Sequence, residues 1–148
     1  MRAYRFEQPD SAVTSDELAE RGILSWTVPQ DEAERSAFIA SVCSRHGYVD
    51  QDFVELKPDT PNLDAICAKF DREHYHTEDE VRFVVEGDGI FDVRDGGDRW
   101  IRIEVAPGDM IVIPARTYHR FYLTERKHIR CMRLFANHDG WSPLYREA

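Results

Sequence analysis

Long apolar runs are missing from this sequence of 148 residues. No stretch approaches the roughly 20 apolar residues that a bilayer-crossing helix needs, so a membrane is not an expected partner. Cysteine is scarce as well. The chain has three, Cys43, Cys67 and Cys131, odd in number and far apart, with no Cys-x-x-Cys pair and no disulfide framework. That usage fits a reducing, cytoplasmic setting and argues against thiolate metal ligation. The opening MRAYRFEQPD lacks the apolar stretch of a secretory leader, so none is expected. Positive charge is in the minority: 19 Lys and Arg stand against 28 Asp and Glu, a net charge of −9, and the basic residues form no stripe. Such a field repels phosphate backbones, which excludes nucleic acid as an expected partner. An anionic small molecule would need positive charge placed locally. Repeats, low-complexity blocks and linkers are also missing, so residues 1–148 are expected to form a single domain. Monomer is the default expectation.

Local signals divide that domain in three. Residues 1–72 read as a mixed, partly helical N-terminal part. Thr14 followed by Glu17 has the pattern of a capping box at the head of SDELAERG, with Gly22 as the stop. Residues 23–28, ILSWTV, read as a strand. Asp31 caps a longer helix running to Gly47, with Ala33, Ala37, Phe38 and Val42 on its apolar side. FVELK at 53–57 reads as a strand, and Thr60-Pro61 opens a third helix with proline in its first turn. In residues 73–136 the pattern changes to short β-like runs at 80–86, 90–94, 99–105, 110–114, 118–123 and 129–136, separated by EGDG, RDGGD, APGD and PART. Even spacing with Gly/Pro punctuation predicts an antiparallel barrel or sandwich. Residues 137–148 have no periodicity and are expected to be a loop or a docked tail.

One segment of the barrel region concentrates chemistry. In HYHTEDEVRF, His74, His76, Glu80 and Arg82 have the same parity, so an extended chain would turn all four to one face and Phe83 and Val85 to the other. Four polar groups turned inward are costly without partners, and a bound cation removes most of that cost for imidazoles and carboxylate. Two imidazoles and a carboxylate suit Fe(II), Ni(II), Mn(II) or Zn(II). His119, in IVIPARTYHRF near the start of another strand, is a candidate third imidazole. Three His and one Glu leave two adjacent positions of an octahedral ion for a chelating oxygen ligand. His46, His128 and His138 have no comparable setting and read as surface residues.

HYHTEDEVRFVVEGDG resembles the first signature of the cupin superfamily, carried here by His74, His76, Glu80 and Gly87; GDMIVIPARTYH resembles the second, carried by Gly108, Pro114 and His119. Together with VAPGDMIVIPARTYHRF and MRLFANHDGW, these stretches are similar to the acireductone dioxygenase family from about residue 18 to about 145. The resemblance implies a mainly β fold, a cupin (double-stranded β-helix, jelly-roll) barrel with peripheral α-helices in the N-terminal part. It implies one Fe(II) or Ni(II) ion per monomer on His74, His76, Glu80 and His119. The implied reaction belongs to methionine salvage and cleaves 1,2-dihydroxy-5-(methylthio)pent-1-en-3-one with O2. With Fe(II) the implied products are 4-methylthio-2-oxobutanoate and formate; with Ni(II), 3-methylthiopropanoate, formate and CO. Ala68, Arg116 and Leu123 depart from the generic superfamily pattern, which has Gly, Gly and Asn there, and none of them is a ligand position. Arg116 reads as a solvent-facing turn residue.

An acidic enediol binds as an anion, and a divalent ion with Glu80 leaves too little positive charge to balance a dianion. Arg82 shares the ligands' parity. Arg133, in IRCMRLFAN, shares a face with Cys131 and Phe135, where an arginine takes an anionic partner, either substrate or an internal carboxylate, or else lies on an outward face with its guanidinium reaching water. Phe70, Phe121 and Trp141 are candidate apolar walls for a methylthio tail, Trp141 from a tail expected to close over the barrel mouth. Asp79 beside Glu80 is a candidate acid–base group or orienting partner, against its parity. The competing readings are another cupin oxygenase or isomerase acting on a different small anion, and a non-enzymatic ligand-binding cupin. The arginine pair speaks against the first and the complete ligand set against the second.

Overall fold

The structure is a computed structural model that describes residues 1–137 and 141–147; His138 lies outside the described residues. In chain order it contains β1 (Arg2–Arg5), β2 (Gln8–Ala12), α1 (Ser15–Glu20), β3 (Leu24–Thr27), α2 (Glu32–His46), β4 (Asp50–Leu56), α3 (Leu63–Phe70), β5 (His74–Tyr75), β6 (Glu80–Gly87), β7 (Gly89–Arg94), β8 (Trp100–Val105), β9 (Asp109–Ile113), β10 (His119–Leu123), β11 (Ile129–Phe135) and β12 (Leu144–Tyr145). The strands form a seven-stranded sheet, β12-β5-β10-β7-β8-β1-β2, and a five-stranded sheet, β3-β9-β6-β11-β4. Every pairing is antiparallel. This is the mainly β, helix-decorated cupin barrel that the sequence led us to expect.

Alternation along the strands creates two cores. Val84, Phe91, Val93, Ile101, Ile103, Ile111, Ile113 and Cys131 fill the space between the sheets. Val81, Phe83, Met110, Val112 and Leu134 project to the other side of the five-stranded sheet, where Ile39 and Val42 of α2 cover them. Each fully buried side chain of this size contributes about 1.5–3 kcal/mol relative to exposure. β6 therefore has a different task on each face: Val81, Phe83 and Val85 bind the helix, while Glu80, Arg82 and Val84 point between the sheets.

The helix ends follow from the sequence. Thr14 Oγ1 accepts from Glu17 N at 3.1 Å, and Asp31 Oδ2 accepts from Glu34 N at 3.0 Å. Gly47 ends α2 at φ 76°, a conformation glycine adopts without strain. Gly87, at φ 75°, has a stronger requirement, because a Cβ there would collide with the His128 carbonyl oxygen.

Three local expectations are corrected. The buried stripe of α2 is Phe38, Ile39 and Val42, while Ala33 and Ala37 face solvent, because the stripe is set by the sheet it meets. α3 starts at Leu63 behind Asn62, and Pro61 precedes the helix; Thr60 Oγ1 instead accepts from Lys57 N at 2.8 Å and closes a turn there. β1, β2 and β12 were not foreseen. β2 reads QPDSA and is exposed throughout, so only its pairing with β1 makes it a strand, and its edge position tolerates Pro9. No described helix is long and apolar enough to cross a membrane.

Candidate metal centre and adjoining cavity

Four predicted side chains converge at the seam between the two sheets. His74 on β5 lies directly opposite His119 on β10, with ring centroids 4.6 Å apart. His76 follows β5, its ring 5.0 Å from that of His74 and 5.3 Å from that of His119. The chain then bends at 77–78, and Glu80 opens β6 in the other sheet. The chain is therefore not extended throughout from His74 to Arg82, the condition on which one shared face depended. Parity holds within β6, but the bend and the sheet packing are what bring Glu80 to the imidazoles. A backbone bond from Arg116 N to His76 O at 2.8 Å pins the bend to the turn before β10, and the Arg116 side chain is exposed as expected.

The nitrogens of His74, His76 and His119 that face one another lie within 4.8 Å. Glu80 Oε2 is 2.6 Å from His119 Nε2 and 3.9 Å from His76 Nε2. All four residues are buried. His74 Nδ1 donates to Arg72 O at 2.6 Å and His119 Nδ1 to Thr117 O at 2.8 Å. A carbonyl only accepts, so Nδ1 carries the proton and Nε2 presents a lone pair. His119 Nε2 and Glu80 Oε2 are then two acceptors facing each other without hydrogen-bond alignment, and both are buried without a partner. Their approach requires positive charge between them, from a proton or a metal ion, and the two further imidazoles favour the metal.

Electrostatics prepare the same state. Burial pushes the His74 imidazolium below its ordinary range and takes His76 down to about 4. Burial alone would raise the Glu80 carboxyl, but positive charge beside it, on His119 when that ring carries a second proton and on Arg82, outweighs burial and holds it well below the usual carboxylate range. Neutral imidazoles and an ionised carboxylate are the ligating forms. Three imidazoles and a carboxylate fit Fe(II) and Ni(II) alike.

Arg82 connects this centre to a cavity of about 230 Å³. Its Nε donates to Glu80 Oε1 at 3.0 Å, and its guanidinium carbon stands 5.9 Å from the ring centroids of Phe70 and Phe121. Phe70, Phe121 and Arg133 line the cavity with it. Arg133 lines the cavity and forms an internal ion pair, one of the partners read from sequence, with Nε and Nη2 donating to Asp52 at 2.8 and 2.6 Å. Sequence reasoning missed Val54, Leu56, Ile66 and Ile129, which supply the aliphatic wall, and Asp52. The signal for Asp52 was present: it has the parity of Val54 and Leu56, an acid on the apolar face of a strand.

Two expected site residues are placed differently. Trp141 stands at the metal cradle and is not among the residues that line this cavity. Its ring stacks on His76 at 5.7 Å and packs on Phe135 at 4.9 Å, with the guanidinium carbons of Arg82 and Arg133 at 5.5 and 5.1 Å. It covers the cationic groups instead. Asp79 is turned away from the ligands, as its parity warned. Its Oδ2 accepts from the Tyr48 hydroxyl and its Oδ1 from Ala115 N, both at 3.0 Å. These two bonds fasten the loop before β10. The tail is docked: Tyr145 of β12 pairs with His74, and Arg146 bonds Glu73 and Asp98. His46 is exposed, and His128 is half-buried with Glu55 and Glu86 at 3.7 and 3.8 Å.

A two-sheet antiparallel barrel with a buried three-histidine, one-glutamate cradle at its seam defines a cupin of the metal-binding kind. Comparison with known proteins narrows the class. The model of the ARD/ARD' family matches residues 2–143, and the chain belongs to that family. It is 41% identical over 146 residues to acireductone dioxygenase of Heterostelium pallidum, covering 99% of this chain and 98% of that one. It is 34% identical to acireductone dioxygenase of Dictyostelium discoideum, covering 99% of both. Among solved structures it is similar to acireductone dioxygenase from Bacillus anthracis with a cadmium ion in its active centre. The TM-score is 0.86 and the identity 32%, with 97% of each chain covered.

Proposed function

We propose that this chain is a metal-dependent acireductone dioxygenase of methionine salvage. In this reading it cleaves 1,2-dihydroxy-5-(methylthio)pent-1-en-3-one with O2. With Fe(II) bound the products would be 4-methylthio-2-oxobutanoate and formate, and with Ni(II) bound 3-methylthiopropanoate, formate and CO. The chain acts as one cupin unit, a cytoplasmic monomer with one ion. The observation that carries the reading is the buried cradle of partnerless donors bonded through Glu80 to an arginine that opens on a cavity. Near-full-length similarity to proteins named acireductone dioxygenase supports it.

His74, His76, Glu80 and His119 would hold the ion, which when bound supplies a Lewis-acidic chelation point for two substrate oxygens and a redox partner for O2. The rest falls to the chain. Arg82 and Arg133 stabilise the ionised enediol, and the enediolate is a better electron donor to O2 than the neutral form. A divalent ion and two arginines supply positive charge for the anion, against Glu80 and Asp52 at the guanidiniums and Glu55 among the cavity's lining residues. Phe70, Phe121, Val54, Leu56, Ile66 and Ile129 exclude water and receive the methylthio chain, with sulfur–aromatic contact favouring the rings. Trp141 shields the guanidiniums from solvent.

The test is anaerobic loading of apo-protein with Fe(II) or Ni(II), addition of enzymatically generated acireductone, admission of O2, and assay of formate and CO. Formate from both forms and CO from the nickel form alone is the expected result. No acceleration over spontaneous oxidation with either metal would refute the reading.

A further inference from the structure

Strand register places Asp52, Arg133 and Arg82 in one row across β4, β11 and β6, each directly opposite the next. Like charges at directly opposed positions repel. Arg82 is restrained by Glu80, a member of the metal cradle. Arg133 is restrained by Asp52, which lies outside that cradle. The two bonds to Asp52 use Nε and Nη2 of the guanidinium, and among the described residues Nη1 makes no hydrogen bond. β4 is the edge strand of its sheet, and the neighbouring inward residues Val54 and Leu56 are cavity wall.

From this arrangement we infer that Asp52 is the positioning residue for substrate-anion binding: its two-point grip fixes the plane of the Arg133 guanidinium beside Arg82 and leaves Nη1 to the ligand. The inference rests on the proposed anionic substrate. A two-point carboxylate–guanidinium pair sets the plane as well as the place of the cation, so the ordering cost is met before substrate arrives. Without Asp52, repulsion from Arg82 turns Arg133 out toward the open edge of the sheet.

The test uses the full metal-loaded chain and compares wild type, Asp52→Ala, Asp52→Asn, Asp52→Glu, Arg133→Met and the double variant Asp52→Ala/Arg133→Met. The readouts are KM, kcat, metal content and Tm. Asp52→Ala is expected to raise KM by about 10-fold, with less effect on kcat and full metal content. Asp52→Asn, which keeps the shape, should fall between, and Asp52→Glu should recover most of the loss. In the Arg133→Met background the Ala substitution should change KM by less than about 2-fold, because its effect runs through Arg133. Wild-type KM in both Asp52→Ala and Asp52→Asn, or an equal effect in both backgrounds, overturns the assignment. An inactive wild type overturns the dioxygenase reading itself, and that result is read separately from the variants.

Discussion

Arg82 and Arg133 stand directly opposite each other on neighbouring strands, and each guanidinium has a carboxylate of its own: Glu80 at 3.0 Å for Arg82 and Asp52 at 2.6 Å for Arg133. In the proposed reaction the two share a substrate-facing task but differ in what else they support. Arg133→Leu is expected to lower kcat/KM by about 10- to 100-fold, the worth of a charge-assisted hydrogen bond, and to leave metal binding untouched at every pH. Arg82→Leu should cost at least as much. It also removes a cation that holds the Glu80 carboxyl low, so protons compete for Glu80 at higher pH. Metal release on acidification should begin at a higher pH in Arg82→Leu than in wild type. Unchanged kinetics in both variants would remove the arginines from the site.

Asp79 next to Glu80 is expected to matter for stability and not for proton transfer. Asp79→Ala strands the Tyr48 hydroxyl and the Ala115 amide, at about 1–3 kcal/mol, or several degrees of Tm. The pH–rate profile should keep its shape. Loss of one limb of that profile with Tm unchanged would restore an acid–base role.

Apo-protein should lose stability on mild acidification. The His76 imidazole ionises at about 4 in the folded chain, against an ordinary value of about 6.5 once unfolded. Between these values the unfolded chain binds more protons, so folding stability rises with pH through that window and falls as pH drops from about 6.5 toward 4. His74 acts in the same direction in this window, and Glu80 does so below its ordinary value of about 4.5. Thermal melts of apo-protein across pH 4–7 check this, and a His76→Asn variant should show a shallower dependence. A flat Tm across the window would show that the imidazoles are not held neutral by burial.

Much of this was legible in the sequence because it is local. Strand spacing, the caps at Thr14 and Asp31, and the inward parity of Glu80, Arg82 and Val84 depend on residues a few positions apart. What escaped depends on pairing at a distance. Asp52 and Arg133 are 81 residues apart and meet only because β4 and β11 pair. The aliphatic cavity wall comes from β4, α3 and β11 for the same reason. The bend at 77–78 was not foreseeable from parity, because alternation counts residues and is blind to a change of sheet. β12 was missed because two residues become a strand only where β5 offers an edge.

The central claim is that His74, His76, Glu80 and His119 together hold one ion, and equilibrium dialysis of apo-protein against Ni(II) tests it most directly. Wild type should bind one ion per chain, His74→Ala and Glu80→Ala should retain essentially none, and Asp52→Ala should match wild type. Full stoichiometry in either ligand variant, or no ion in the wild type, would contradict the account.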